Sequence, residues 1–130
     1  MQIQIPQANR VFKTAWFAKA ARKMRIDDAH LCKAVHEVMQ GQADDLGGGV
    51  FEKRLNNNQH RSIILAKTGN IWVFEYVFAK KGRANIDEDE LTSFRKLAKS
   101  YANLTEQQIM QLIVEEFFME ICHAKQTIQE

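Results

Sequence analysis

No apolar run in this chain reaches the length of about 18 residues that a membrane-spanning helix needs, so no membrane span is expected. The opening MQIQIPQANR also lacks the charged-then-apolar pattern of a secretory signal, which points to a cytoplasmic protein. Cysteine is scarce. Cys32 and Cys122 stand in apolar surroundings with no CxxC pair and no histidine at ligand spacing, and they are expected to be buried free thiols. His30, His36, His60 and His123 match no metal-ligand spacing, and no P-loop lysine follows the glycines at 47–49. The acidic run Asp87–Glu90 reads as a solvated helix start, where acids suit the positive end of the dipole. No metal and no other cofactor is expected.

What remains is a mixed, charged chain whose 130 residues are expected to form one domain, 45% apolar and 26% charged, the balance of a globular protein. Its net charge of +2 conceals segments of opposite sign. Residues 1–26 carry six cations and no acid, and residues 50–83 carry seven cations against Glu52 and Glu75. Residues 27–49 and 84–130 are net acidic. Local sign of this kind steers a polyanion to one face.

Along the chain, RVFK at Arg10–Lys13 reads as a short strand, and Thr14 caps a helix to about Met24. Asp27 opens a second helix to about Gln40, completing a helical hairpin. GQADDLGGGV is a turn leading into the sheet, because successive glycines permit positive φ. Three strands follow at about Val50–Leu55, Arg61–Lys67 and Ile71–Ala79, separated by the polar turns NNNQH and KTGN. The third is apolar on both faces and reads as central, with Trp72, Phe74, Tyr76 and Phe78 alternating as core residues. Capping boxes at Asp87/Glu90 and Thr105/Gln108 open two more helices. EEFFMEIC either continues the last helix or makes a short edge strand around Phe118–Cys122. The sum is an α+β fold: a mostly antiparallel sheet packed against an N-terminal helical hairpin, with C-terminal helices.

Three basic clusters punctuate the sheet: Lys53 and Arg54, then Arg61, then Lys80, Lys81 and Arg83. Antiparallel pairing brings such positions together, and fixed cations on a small sheet suit a phosphate-rich ligand, RNA first. Lys and Arg can support RNA cleavage when a base withdraws the 2′-hydroxyl proton and cations neutralise the phosphorane. Lys53 or Lys80 is the expected base, with Arg54, Arg61 and Arg83 clamping the phosphate. His60 is an alternative acid or base by intrinsic pKa, and Lys81 and Asn85 are further RNA contacts.

The pieces RVFKTAWFAKAARK, DLGGGVFEKRL, HRSIILAKTG and VFAKKGRANIDEDEL, in this order, resemble the RelE/HigB-like toxins of bacterial type II toxin–antitoxin systems. The resemblance covers roughly Arg10–Ala102, a core followed by an extension over 103–130 with a weaker echo to Cys122. It implies a RelE-like fold, ribosome-dependent mRNA cleavage, and neutralisation by a cognate antitoxin, expected to be of helix-turn-helix type. Arg54, Arg61, Lys80 and Arg83 match the family's basic positions. Glu52 stands where relatives often place a lysine, and no tyrosine follows Arg83, where Asn85 stands nearby. A ParE-like gyrase inhibitor or an inactive relic on the same fold is the alternative.

Overall fold

Local capping chemistry sets the helix starts. Each of the four helices among the described residues follows a side chain that accepts a bond from the backbone N–H three residues on, satisfying a donor the helix itself cannot. In this computed structural model, Thr14 caps α1 (Ala15–Lys23) and Asp27 caps α2 (Asp28–Met39). Full capping boxes, Asp87 with Glu90 and Thr105 with Gln108, open α3 (Glu88–Ala102) and α4 (Glu106–Val114). The structure describes residues 2–3, 9–67, 70–123 and 128–129. The expected KTGN turn falls partly at 68–69, outside the described residues.

The strands are β1 (Gln2–Ile3), β2 (Arg10–Thr14), β3 (Asp44–Gly47), β4 (Val50–Leu55), β5 (His60–Lys67), β6 (Ile71–Ala79), β7 (Phe118–Ile121) and β8 (Ile128–Gln129). β1 and β8 pair with each other, and the rest form a six-stranded sheet in the order β3-β4-β5-β6-β2-β7. Among the described residues only the β2–β6 pair is parallel. The ambiguous EEFFMEIC segment resolves as an edge strand, β7, beside β2.

The glycine-rich segment is a hairpin rather than a simple lead-in. Asp44–Gly47 pairs back on β4, and Gly47, Gly48 and Gly49 all take positive φ. A Cβ on Gly48 would stand 2.9 Å from the Arg95 side chain, so α3 packs directly on this turn. In the NNNQH turn, Asn56, Asn57 and Asn58 have positive φ of 54°, 54° and 71°, the left-handed region that asparagine tolerates better than most residues.

Both faces of the sheet are covered. The α1–α2 hairpin packs on one face through Phe17, Leu31 and Val35 against Val11, Ile64 and Phe74. On the other, α3 and α4 set Ala98, Phe94 and Ile109 against Val50, Ile63, Leu65 and Phe12. Alternation along β2, with Val11 one way and Phe12 the other, is the period-two signature of a strand buried on both sides.

The cysteines correct an expectation. They are not free thiols: Cys32 on α2 and Cys122 just after β7 form a disulfide, with Cα atoms 5.5 Å apart. The cause is tertiary, because α2 lies across the hairpin face where β7 ends and brings together residues 90 apart in sequence. At the same end of this edge but on the other face, Arg10 donates to Glu120 at 2.8 and 2.9 Å and to Glu106 at 2.7 Å, tying β2 to β7 and α4.

Candidate functional site

One irregularity in β6 decides what the site contains. Ile63 pairs with Tyr76 and Ile64 with Phe74, so Glu75 is an extra residue in the β5–β6 ladder. Before it, Trp72 and Phe74 point into the hairpin-side core; a strict alternation would send Tyr76 and Phe78 the same way. The bulge instead turns Tyr76 onto the α3 face, where its ring lies 5.8 Å from Phe94 and 5.8 Å from Phe78. The expectation that four aromatics alternate as one core set is therefore corrected. Glu75 accepts a bond from the Tyr101 hydroxyl at 2.7 Å, and burial holds its carboxyl above the usual range.

On that face a transverse row forms. Arg54 pairs with Arg61 across β4–β5, and Arg61 with Phe78 across β5–β6. The Arg83 guanidinium lies over the Phe78 ring at 5.1 Å, a cation–π contact that carries the row beyond the strand end. Arg83 also donates to both oxygens of Glu90 on the first turn of α3 and to the Asn85 carbonyl at 3.1 Å. The Glu90 bond foremost, then the nearby Tyr76 phenol and Asp87, hold the Arg83 pKa above its ordinary value. Thus the three arginines singled out from sequence do converge.

They are not equivalent. Arg54 is exposed and Arg83 half-exposed, whereas the Arg61 side chain is 7% exposed. Arg61 donates to the Asn58 side chain, which the left-handed turn delivers, and its Nε stands 3.5 Å from Glu52 Oε2. Glu52 is on the same face by alternation with Arg54, and it is buried. Desolvation raises its pKa above the usual carboxylate value and Asp44 adds to the shift, while Arg61 and Arg54 oppose it. Asp44, Glu52 and Arg54 line a cleft of about 280 Å³.

Lys53 does not join the row, and its expected place in the patch is corrected. Being one residue from Glu52 and Arg54, it points to the opposite face, where Nζ is 3.0 Å from Glu37 of α2 and donates to the Gln42 carbonyl at 2.9 Å. A carboxylate and a carbonyl surround it, not the cations whose crowding would suit a lysine base. Lys80 and Lys81 are exposed beyond β6, and with His60, Asn58 and Gln59 they line a cavity of about 660 Å³ at the end of the β5–β6 ladder. Asn85 is exposed and contributes its carbonyl to Arg83.

Two groups at the site were missed from sequence. Glu52 reads there as a flaw in a basic patch, although its i, i+2 spacing to Arg54 already places both on one face. Tyr76 has no such signal, because only the bulge brings its phenol toward Arg83.

The family model described as "RelE toxin of RelE / RelB toxin-antitoxin system" matches residues 9–121. No curated protein and no solved structure matches the chain.

Proposed function

We propose, from the premise that this chain belongs to the RelE toxin family and is the toxin of a toxin–antitoxin system, that it is a metal-independent mRNA endoribonuclease acting on the ribosome. The observation that supports this most is the buried, raised-pKa carboxylate of Glu52 set within the arginine row. A carboxylate whose pKa is raised by burial is a stronger base than an ordinary one and takes a proton more readily.

In the reaction, Glu52 takes the 2′-hydroxyl proton and O2′ bonds to the adjacent phosphorus. The bond from phosphorus to the 5′-oxygen breaks, and Lys80 supplies the proton that this oxygen needs. Arg54, which is exposed, and Arg83, which is half-exposed beside its Glu90 partner, neutralise the charge on the phosphorane oxygens. Arg61, held by Asn58, orients Glu52 and offsets part of its desolvation. His60 and Lys81 contact the strand where it leaves the site, beside Lys80.

The products are a 2′,3′-cyclic phosphate and a 5′-hydroxyl. Mapping of mRNA ends after incubation with translating ribosomes tests the reading, with a ribosome-free arm for ribosome dependence. Ends of that chemistry, lost in Arg54→Ala, are the expected result. Intact mRNA alongside inhibited DNA supercoiling would instead make the chain a gyrase inhibitor.

A further inference from the structure

β2 pairs with β6 only as far as Lys13 opposite Phe74, so the following stretch of β6 lacks that neighbour. The first turn of α1 folds over this stretch and splits two adjacent aromatics between the faces that the bulge separates. Phe17 is fully buried and meets Phe74 at 5.2 Å in the hairpin-side core. Trp16 stacks on Tyr76 instead, with centroids 5.1 Å apart and planes 24° from parallel. It remains 51% exposed. An indole fixed against one ring and open to solvent on its remaining surface is already arranged to stack on another flat ring. Little side-chain freedom is left to lose on binding.

Its neighbours say which ring. Tyr76 touches Phe78, the ring beneath the Arg83 guanidinium, and its phenol is among the groups acting on Arg83. Trp16 therefore lies one ring away from a residue in the phosphate-binding row. Cations that hold a backbone next to an aromatic that takes a base are the two halves of single-strand recognition.

We propose that Trp16 is the stacking platform for one base of the RNA strand bound along the Arg54–Arg61–Arg83 row, with Tyr76 as the ring that fixes its orientation. The assignment rests on the RNA-cleaving reading above and adds to it the group that binds a base. Trp16 binds and positions; it takes no part in proton transfer.

The test uses the whole protein and a short single-stranded 2′-O-methyl oligoribonucleotide, which binds but cannot be cleaved. Trp72, at 7% exposure, is the only other tryptophan, so the emission that responds to RNA comes from Trp16. Saturable quenching is expected in the wild type. Trp16→Ala should weaken oligonucleotide binding, followed by fluorescence anisotropy of a labelled strand, by about 5- to 100-fold, and Trp16→Phe should recover most of it. In mRNA cleavage the alanine variant should raise KM and leave kcat near wild type. Wild-type affinity in Trp16→Ala, with binding lost in Arg83→Ala, would overturn the platform and leave the RNA site standing. Wild-type affinity in both variants would overturn the two readings together. If Trp16→Ala keeps RNA affinity but no longer binds the antitoxin, the indole belongs to the protein partner and the proposal fails.

Discussion

The two faces of this sheet are built from the same strands and handle their charges differently. On the hairpin side, β4 and β6 contribute Lys53, Trp72 and Phe74, and each is engaged: Lys53 by Glu37 and Gln42, the aromatics by the core. On the α3 side the same strands contribute Glu52, Arg54, Tyr76 and Phe78, and the charges there are buried against one another or left open to a ligand. One inserted residue, Glu75, separates the two outcomes on β6. A basic residue's position along the sequence thus says little about its role until its face is known.

The largest expected effect lies on the hairpin side. The Cys32–Cys122 bridge closes a loop spanning 90 residues, and loop-closure entropy for that length corresponds to about 4.6 kcal/mol. Cys32→Ser should lower the melting temperature strongly, and reduction of the wild type should do the same. Oligonucleotide affinity measured well below the transition should be unchanged. A fall in affinity at low temperature would mean that the two faces are not independent.

From the other face, Glu52→Gln should lower cleavage by about 10²-fold, the range for a positioned general base, while the melting temperature holds or rises. The stability sign follows from the raised pKa. The folded state binds the Glu52 proton more tightly than the unfolded chain does. Its contribution is therefore most favourable below the unfolded pKa and is lost as pH rises through the folded value. Removing the ionisable group abolishes that loss. The acid limb of the kcat/KM profile should disappear in the variant, and an unchanged limb would exclude Glu52 as the base.

Smaller still is the effect of Lys53→Ala, which removes a partly buried ion pair and should destabilise the protein by about 1 kcal/mol in a denaturant titration. The smallest concerns the bulge itself. Glu75 also has a raised pKa, so its contribution to stability likewise falls as pH rises through the folded value. Glu75→Gln keeps a partner for Tyr101 and should flatten the pH dependence of melting above the ordinary carboxylate range.

Much of the fold is legible in the sequence because it is written in local chemistry. Thr14, Asp27, Asp87 and Thr105 cap helices through side chains within three residues of the groups they satisfy. The β4 and β6 limits follow from polar turns, and the pairing of Arg54 with Arg61 follows from antiparallel register, whereas Arg83 joins them only through its contact over Phe78. Illegible features depend on contacts between distant segments. The bulge at Glu75 is a compromise between neighbouring strands, and neither VFEYVF nor its flanks announces it. The disulfide depends on where α2 crosses the sheet. Arg61 meets Glu52 and Asn58 only once β4, β5 and the turn between them are in place, so a cation expected to bind phosphate directly is instead the partner of a carboxylate.

In the proposed reaction the arginine face performs the chemistry and the lysine face holds the fold. The rate of mRNA cleavage on translating ribosomes, measured in Arg83→Ala and Lys53→Ala side by side, separates the two roles. A loss of about 10²- to 10³-fold is expected in Arg83→Ala, as for removal of a group that stabilises transition-state charge, with Lys53→Ala cleaving at close to the wild-type rate. An equal or greater loss in Lys53→Ala, in protein shown to be folded, would contradict it.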